Sequence, residues 1–137
     1  MSSIFSKIVA GDIPAHVVAE SNDFLAFLDI SPLAEGHVLV IPKKEVDYIF
    51  DLDDETYTGL HIFAKIVAKG IEKAVPCQRI GVAVIGLEVP HVHIHLIPIN
   101  HVDDINFARP KLSFTQEQLV ATTEKIKEAL RQTSEEV

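Results

Sequence analysis

The feature that most constrains the fold is the run HVHIHLIP at residues 91–98, in which histidine alternates with an apolar residue. Alternation with a period of two is typical of a half-buried β-strand, because successive side chains point to opposite faces of a sheet. The pattern therefore predicts a strand that presents His91, His93 and His95 on one face. The apolar residues between the histidines are predicted to face the core.

Four more strands are predicted from short runs rich in β-branched and aromatic residues. Three of them precede the histidines, over residues 17–20, 24–30 and 37–43, and turn-forming segments separate them. Residues 80–87 are almost uninterruptedly apolar and are predicted to form a hairpin with residues 91–97, joined near residues 88–90. We therefore expect a sheet of five strands.

Two helices complete the predicted fold. Apolar residues recur at helical spacing over residues 53–75, and extra apolar positions widen the stripe enough to predict a second buried face, which a partner subunit could cover. A second helix is predicted to begin at Thr115, which forms a capping box with Gln118.

The order of elements favours an α+β fold with an antiparallel sheet. We assign residues 1–112 to one domain and residues 113–137 to its C-terminal helix and acidic tail.

Composition excludes several classes of function. The chain has 12 Lys and Arg against 20 Asp and Glu, a net charge of −8, which is the wrong sign for a nucleic-acid-binding protein. A small nucleotide is compatible with this charge, because backbone N–H groups and histidines can hold one phosphate locally. No apolar run approaches the roughly 18 residues of a membrane span, and the N-terminus lacks the features of a secretory signal. The expected location is the cytoplasm.

Three histidines on one face favour catalysis, because imidazoles supply a nucleophile and proton donors near neutral pH. A metal site is the alternative. At a rise of about 3.3 Å per residue, His91 and His95 lie about 13 Å apart, too far to share one ion. A site of two histidines with His37 as a third ligand stays open but is less favoured. Cys77 is the only cysteine, so the chain cannot form a zinc site that needs two thiolates.

Residues 4–97 resemble the histidine triad family, in particular its Hint-like nucleotide-binding branch. The resemblance includes HVHIHLIP, the N-terminal SIFSKIVAGDIPAHVVAES and the central FLAFLDISPLAEGHVLVIPKK. It implies a homodimer whose sheets join into one larger continuous sheet, with a purine nucleotide held at the edge of each sheet. It also implies hydrolysis at the α-phosphorus, without a cofactor.

Carried over by position, the resemblance implies a role for each histidine of the motif. His93 matches the nucleophile, His95 the residue that contacts the phosphate and assists the leaving group, and His37 a fourth histidine near the reacting phosphate. His91 completes the catalytic set and acts mainly through the geometry of its strand. Asp29 matches the carboxylate that binds the ribose hydroxyls. The residues that match the apolar walls around the base are Ile4, Phe5, Ile8, Phe27 and Ile30.

Two departures from the family pattern matter. The usual loop before the histidines is longer and carries polar ligands for phosphate and ribose, whereas Gly86, Leu87 and Glu88 stand here. Leu87 has no polar side chain and Glu88 would repel phosphate unless turned away, so the backbone N–H groups of this loop are the predicted substrate ligands.

Some relatives hold zinc through two cysteines near the N-terminus. Ser3 and Ser6 occupy that stretch here, and we predict no zinc and no other metal.

The resemblance therefore implies a nucleoside phosphoramidase that acts on an AMP-like purine substrate, or on a related nucleotide conjugate, through a nucleotidyl-histidine intermediate. A dinucleoside polyphosphate hydrolase or a nucleotidyl transferase would use the same histidines on a longer phosphate chain. A nucleotide-binding protein with vestigial activity is a further alternative, which Leu87 and Glu88 favour. A metal protein is the third alternative.

Overall fold

The computed structural model describes residues 2–135, and it confirms the predicted α+β fold with one five-stranded antiparallel sheet. The strands lie in the order β1-β2-β3-β5-β4. They are β1 Val17–Glu20, β2 Phe24–Leu28, β3 Val38–Pro42, β4 Arg79–Ala83 and β5 Ile94–Ile99. The helices are α1 Ile4–Val9, α2 Asp54–Ala74 and α3 Gln116–Glu135, and 3₁₀ turns form at Ile49–Asp51 and Val102–Ile105. The last two residues of the predicted acidic tail, Glu136 and Val137, lie outside the described residues.

The two predicted helices are confirmed. Asp53 caps α2 by accepting a hydrogen bond from the backbone of Thr56 at 2.7 Å. The capping box of α3 has both of its hydrogen bonds, at 2.8 and 3.1 Å between Thr115 and Gln118. Helix α1 was not predicted, because six residues are too few to show a periodicity. None of the helices within residues 2–135 is long and apolar enough to cross a bilayer.

The sheet separates a core face from a second face that carries the histidines. Helices α2 and α3 contribute to a core that includes Val92, Ile94 and Leu96, the three residues predicted to point inward. The opposite face carries a smaller apolar cluster in which Phe5 of α1 packs with side chains of β2 and β3. In the ladder between β3 and β5, His95 pairs with Leu39 of this cluster. The histidines therefore lie on the face that α2 and α3 do not cover.

Strand β5 begins three residues later than predicted, so His91 and His93 precede it in the connection at residues 84–93. The register pairs Val40 with Ile94, so a continued ladder would place Ile41 opposite His93 and then Pro42 opposite Val92. Proline has no N–H, so β3 has no donor with which to extend the ladder. The backbone of Val92 instead donates to the carbonyl of Val46 at 2.7 Å.

Strands β2 and β4 end earlier than predicted, each for a local reason. After β2, the carboxylate of Asp29 accepts a hydrogen bond from the backbone of Ser31 at 2.8 Å, which turns the chain. After β4, Gly86 has φ of 73°, which is incompatible with a strand.

Gly36 positions the start of β3 and therefore His37. Its φ is 87°, and a Cβ placed on it would lie 2.9 Å from the side chain of Val75 and 3.3 Å from that of Pro98. Both its conformation and its close packing therefore require glycine.

We expect Gly36→Ala to destabilise the protein more than Gly11→Ala does. Gly11 has a similar φ of 84°, but a Cβ there meets no atom within 4 Å. Gly11→Ala should cost about 1–2 kcal/mol for the left-handed conformation alone, and Gly36→Ala should add about 1–3 kcal/mol of overpacking. Urea unfolding of both variants measures the difference. Equal losses would show that the packing around Gly36 is not tight.

Candidate active site

Four imidazoles converge on the second face of the sheet. His95 lies on β5, His37 directly precedes β3, and His91 and His93 lie in the segment before β5. All four side chains are buried. The ring centroids of His93 and His95 are 5.0 Å apart, and those of His95 and His37 are 5.2 Å apart. The structure therefore brings together the four histidines that the sequence singled out.

A backbone carbonyl determines which nitrogen of His93 carries the proton. Its Nδ1 lies 2.7 Å from the carbonyl oxygen of His91. A carbonyl only accepts hydrogen bonds, so Nδ1 must carry the proton in the neutral ring. The lone pair of neutral His93 is therefore on Nε2, which is the nucleophilic nitrogen.

The opposite tautomer is required at His37 and His95. The backbone N–H of Leu33 donates to His37 Nδ1 at 3.0 Å, so His37 carries its proton on Nε2. That N–H faces His95 Nδ1 at 3.0 Å. His95 Nδ1 therefore accepts, and its proton is on Nε2. His95 can donate a hydrogen bond to a bound anion while neutral His93 offers a lone pair.

His91 is held at both nitrogens and has no nitrogen left for a substrate. Its Nε2 donates to the carbonyl of Pro42 at 2.8 Å, and the hydroxyl of Ser3 donates to its Nδ1 at 2.8 Å. Its contacts tie β3 and the N-terminus to the segment that carries His93. That His91 acts mainly through the geometry of its strand stays a prediction.

Ser3 and Ser6, which stand where some relatives carry cysteines, lie beside Glu45. The carboxylate of Glu45 accepts hydrogen bonds from the backbone of Ser3 at 2.6 Å and from the hydroxyl of Ser6 at 2.7 Å. The bond from the Ser3 N–H is the main reason that the pKa of Glu45 falls to about 2. Sequence reasoning did not single out Glu45, because it lies 42 residues from Ser3 in the chain.

Burial keeps most of the imidazoles neutral. It lowers the pKa of His37 to about 3, with smaller effects from the charges of His95 and Lys111. Burial also lowers the pKa of His95 to about 4. It is the largest cause of the lowered pKa of His91 as well. The tautomers described above are therefore the relevant forms of these three rings near neutral pH.

Asp29 lies beside the imidazole pair and is partly open to solvent. Its Oδ2 is 3.6 Å from His37 Nε2, while its Oδ1 accepts from the backbone of Ser31 at 2.8 Å. Burial raises the pKa of this carboxyl against the effect of the Ser31 N–H. A carboxylate held in this way can accept hydrogen bonds from two neighbouring hydroxyls.

Asp29, His37 and His95 also offer three potential metal ligands within 4.8 Å of one another. The hydrogen bonds do not suit a metal ion. A ligating histidine donates its other N–H to an acceptor, whereas His37 Nδ1 accepts a hydrogen bond from the backbone N–H of Leu33. The nitrogen of His37 that faces the cluster therefore carries a proton and has no lone pair for an ion.

The predicted apolar walls divide into buried and exposed residues. The rings of Phe5 and Phe27 are in edge contact with centroids 5.5 Å apart, and Phe5 also contacts the ring of His93 at 5.0 Å. Ile8 packs partly buried against this cluster. Ile4 and Ile30 are exposed. The aromatic pair therefore packs against His93, whereas the two isoleucines are open to solvent.

The loop at residues 86–88 is the least enclosed part of the predicted site. Leu87 is 88% exposed, and Glu88 is also exposed. The negative charge of Glu88 nevertheless reaches the site, because it contributes to raising the pKa of Asp29.

Two residues near the histidines were missed by sequence reasoning. The ring of Phe107 is in edge contact with His95, with centroids 4.7 Å apart, and Lys111 lies next to Phe107. Both follow the last strand in residues 106–112, where the structure has no helix or strand and the sequence has no periodicity. An aromatic residue close to the basic residues Arg109 and Lys111 was the available signal.

Comparison with known proteins agrees with this geometry. The family model described as HIT domain matches residues 10–102. The chain is 37% identical over 134 residues to an adenosine 5′-monophosphoramidase of Schizosaccharomyces pombe, covering 96% of this chain and 100% of the yeast protein.

Solved structures show the same similarity. A Hit-like protein from Bartonella henselae described as involved in cell-cycle regulation has a TM-score of 0.81 at 32% identity, covering 93% of this chain and 96% of that one. A zinc-bound histidine triad family protein from Mycobacterium smegmatis has a TM-score of 0.85 at 27% identity, covering 100% of this chain and 99% of that one.

Stability should fall as the pH is lowered from 7 to 5.5. An unfolded histidine takes up a proton near pH 6.5, whereas His37 and His95 stay neutral in the fold until pH about 3 and about 4. The free energy of unfolding is therefore highest above pH 6.5 and falls below it, because the unfolded chain then binds protons that the fold does not. The loss is about 1 kcal/mol at pH 5.5 for each ring that stays neutral in the fold. Urea unfolding at both pH values measures this loss of stability. In His37→Gln the loss should be smaller, because glutamine does not titrate. An unchanged or higher stability at pH 5.5 would contradict the burial of neutral imidazoles.

Proposed function

The chain belongs to the HIT domain family, and we propose that it hydrolyses purine nucleoside phosphoramidates, or related nucleotide conjugates, at the α-phosphorus. The yeast relative is named an adenosine 5′-monophosphoramidase, which supports a nucleotide hydrolase. The observation that carries the proposal is the lone pair on His93 Nε2, which the hydrogen bond from Nδ1 to the His91 carbonyl leaves free.

In the proposed reaction His93 Nε2 attacks the α-phosphorus and forms a P–N bond, while the bond from phosphorus to the leaving amine breaks. Water then attacks phosphorus and releases the nucleoside monophosphate from His93. The departing amine takes up one proton and the attacking water gives one up, so protons balance over the cycle. His95 Nε2–H donates to the phosphoryl group, and His37 holds His95 in that tautomer.

Substrate recognition in this proposal is divided between a carboxylate and apolar surface. Asp29 accepts hydrogen bonds from the ribose hydroxyls. The base lies against the exposed Ile4 and Ile30, with Phe5, Ile8 and Phe27 beneath. Backbone N–H groups of Gly86, Leu87 and Glu88 contribute to holding the phosphate.

We propose no metal for this reaction, because the tautomer of His37 does not suit one. The scheme uses imidazole nitrogens for attack, hydrogen bonding and orientation. A cytoplasmic location and the lack of a nucleic-acid partner stay predictions from the net charge and the sequence.

We also propose a homodimer that joins two sheets through β4. Strand β4 lies at the end of the strand order and pairs on one side only. Its Val82 is 61% exposed, and Ile62 and Ile66 on α2 are 55% and 53% exposed. An open strand edge beside exposed apolar side chains favours pairing with a second chain.

The second candidate is a nucleotide-binding protein with vestigial activity, favoured by the charge of Glu88 near Asp29. A dinucleoside polyphosphate hydrolase or a nucleotidyl transferase would use the same histidines. Rates measured across phosphoramidates and dinucleoside polyphosphates separate these activities.

His93→Ala should abolish turnover and the covalent adduct while nucleotide binding persists, since Asp29 and the apolar walls remain. His95→Ala should slow formation of the adduct without removing its site. The adduct is sought by mass spectrometry at alkaline pH with a slowly hydrolysed substrate, because bonds between phosphorus and imidazole are acid-labile. His61→Ala, which replaces an exposed histidine of α2, is the matched control. An adduct on another residue, or near-normal turnover in His93→Ala, would overturn the mechanism.

Sedimentation at micromolar concentration should show a species of two 15.1 kDa chains. Ile66→Glu places a charge in the proposed interface and should yield monomers. Val120→Glu, at an equally exposed apolar position of α3, should leave the dimer intact. A monomeric wild-type protein would contradict the proposed dimer.

A further inference from the structure

Residues 106–112 form a wall of the site that the family motif does not include. The edge contact between Phe107 and His95 closes one side of the imidazole row, and the centroid of Phe107 is also 6.4 Å from that of His37. Phe107 is half-buried in this position. The segment therefore lies over the histidine that donates to the phosphoryl group in the proposed reaction.

Hydrogen bonds and ion pairs hold this segment in place. The backbone of Leu112 donates to the carbonyl of Pro32 at 2.8 Å, which ties the segment to the loop between β2 and β3. Arg109 forms ion pairs with Asp104 at 3.2 Å and with Asp103 at 3.6 Å. The side chain of Asn106 accepts from the backbone of Ala108 at 2.9 Å. The segment is thus positioned before a substrate binds.

Lys111 brings a positive charge to this wall. Its Nζ donates to the carbonyls of Phe107 at 2.6 Å and of Arg109 at 3.3 Å, and it lies 5.9 Å from the centre of the Phe107 ring. Its charge acts on both Asp29 and His37. Within residues 2–135, no carboxylate lies within 4.0 Å of this ammonium. Carbonyl groups orient an ammonium but do not neutralise it, so the charge is available to an anion.

We propose that Lys111 is a specificity-determining residue that binds phosphate oxygens of the nucleotide. This inference rests on the proposed function, and it supplies a cation where Leu87 and Glu88 offer no donor side chain. The anion is the α-phosphoryl group, so Lys111 favours nucleotides over uncharged nucleosides.

Calorimetric titration with AMP and with adenosine tests the proposal without relying on turnover. Lys111→Met removes the charge but keeps the apolar stem, and it should weaken AMP binding about 10- to 100-fold while adenosine binding is unchanged. Lys111→Arg should retain most of the affinity for AMP, and Lys111→Glu should lose more than Lys111→Met. Lys65→Met, at an exposed lysine of α2, is the matched control.

Equal affinities of the wild type and Lys111→Met for AMP would overturn the assignment. Equal losses for AMP and adenosine, or equal effects of Met and Glu at position 111, would also overturn it, because they would indicate a displaced loop. If the wild type binds no AMP, both this inference and the proposed function fail. If Lys111→Met weakens AMP binding but the wild type has no phosphoramidase activity, only the proposed function fails.

Hydrolysis rates give a second test of the contact with the α-phosphoryl group. An adenosine phosphoramidate with an uncharged amine is compared with one whose amine carries a carboxylate or a phosphate. Lys111→Met should lower kcat/KM for both substrates, because both carry the α-phosphoryl group. Loss for the anionic amine alone, or for neither substrate, would overturn the assignment.

Discussion

The site depends on hydrogen bonds between backbone groups and buried imidazoles. Three ring nitrogens are bonded to backbone groups: the carbonyls of His91 and Pro42 and the N–H of Leu33. A carbonyl can only accept a hydrogen bond and an N–H can only donate one, so each fixes whether its ring nitrogen carries a proton. His93 is thereby left with a lone pair on Nε2, and its neighbours with protons on theirs. Because burial lowers the pKa of His37 and His95, neither ring takes up a second proton near neutral pH. Each therefore keeps the tautomer that its hydrogen bonds require. The backbone thus distinguishes the proposed nucleophile from the proposed hydrogen-bond donor.

The alternation of side chains along the strands delivers these rings to one place. Leu39 and Phe27 point to the same face as His95, and the intervening residues point into the core beneath α2. The same alternation brings Asp29 and His37 to that face from the two ends of one loop. Residues 106–112 then close the side that the sheet leaves open. The core face provides stability, and the other face is available for chemistry.

Residue patterns predicted the fold and singled out the four histidines that the structure brings together, but they did not predict features that depend on long-range contacts. The alternation at residues 91–98 and the capping box at Thr115 are local, so the strand, its core face and the start of α3 could be predicted. The start of β5 could not, because it depends on the missing N–H of Pro42 across the sheet. Glu45 and Lys111 reach the site through distant loops, and no local periodicity marks them.

The central claim is that neutral His93 carries its proton on Nδ1 and its lone pair on Nε2. Nitrogen-15 NMR of the histidine side chains at pH 7.5 measures this directly, with His93→Asn assigning the resonance. The account predicts a protonated Nδ1 and an unprotonated Nε2 for His93, and the opposite arrangement for His37, His91 and His95. A protonated Nε2 on neutral His93 would contradict it.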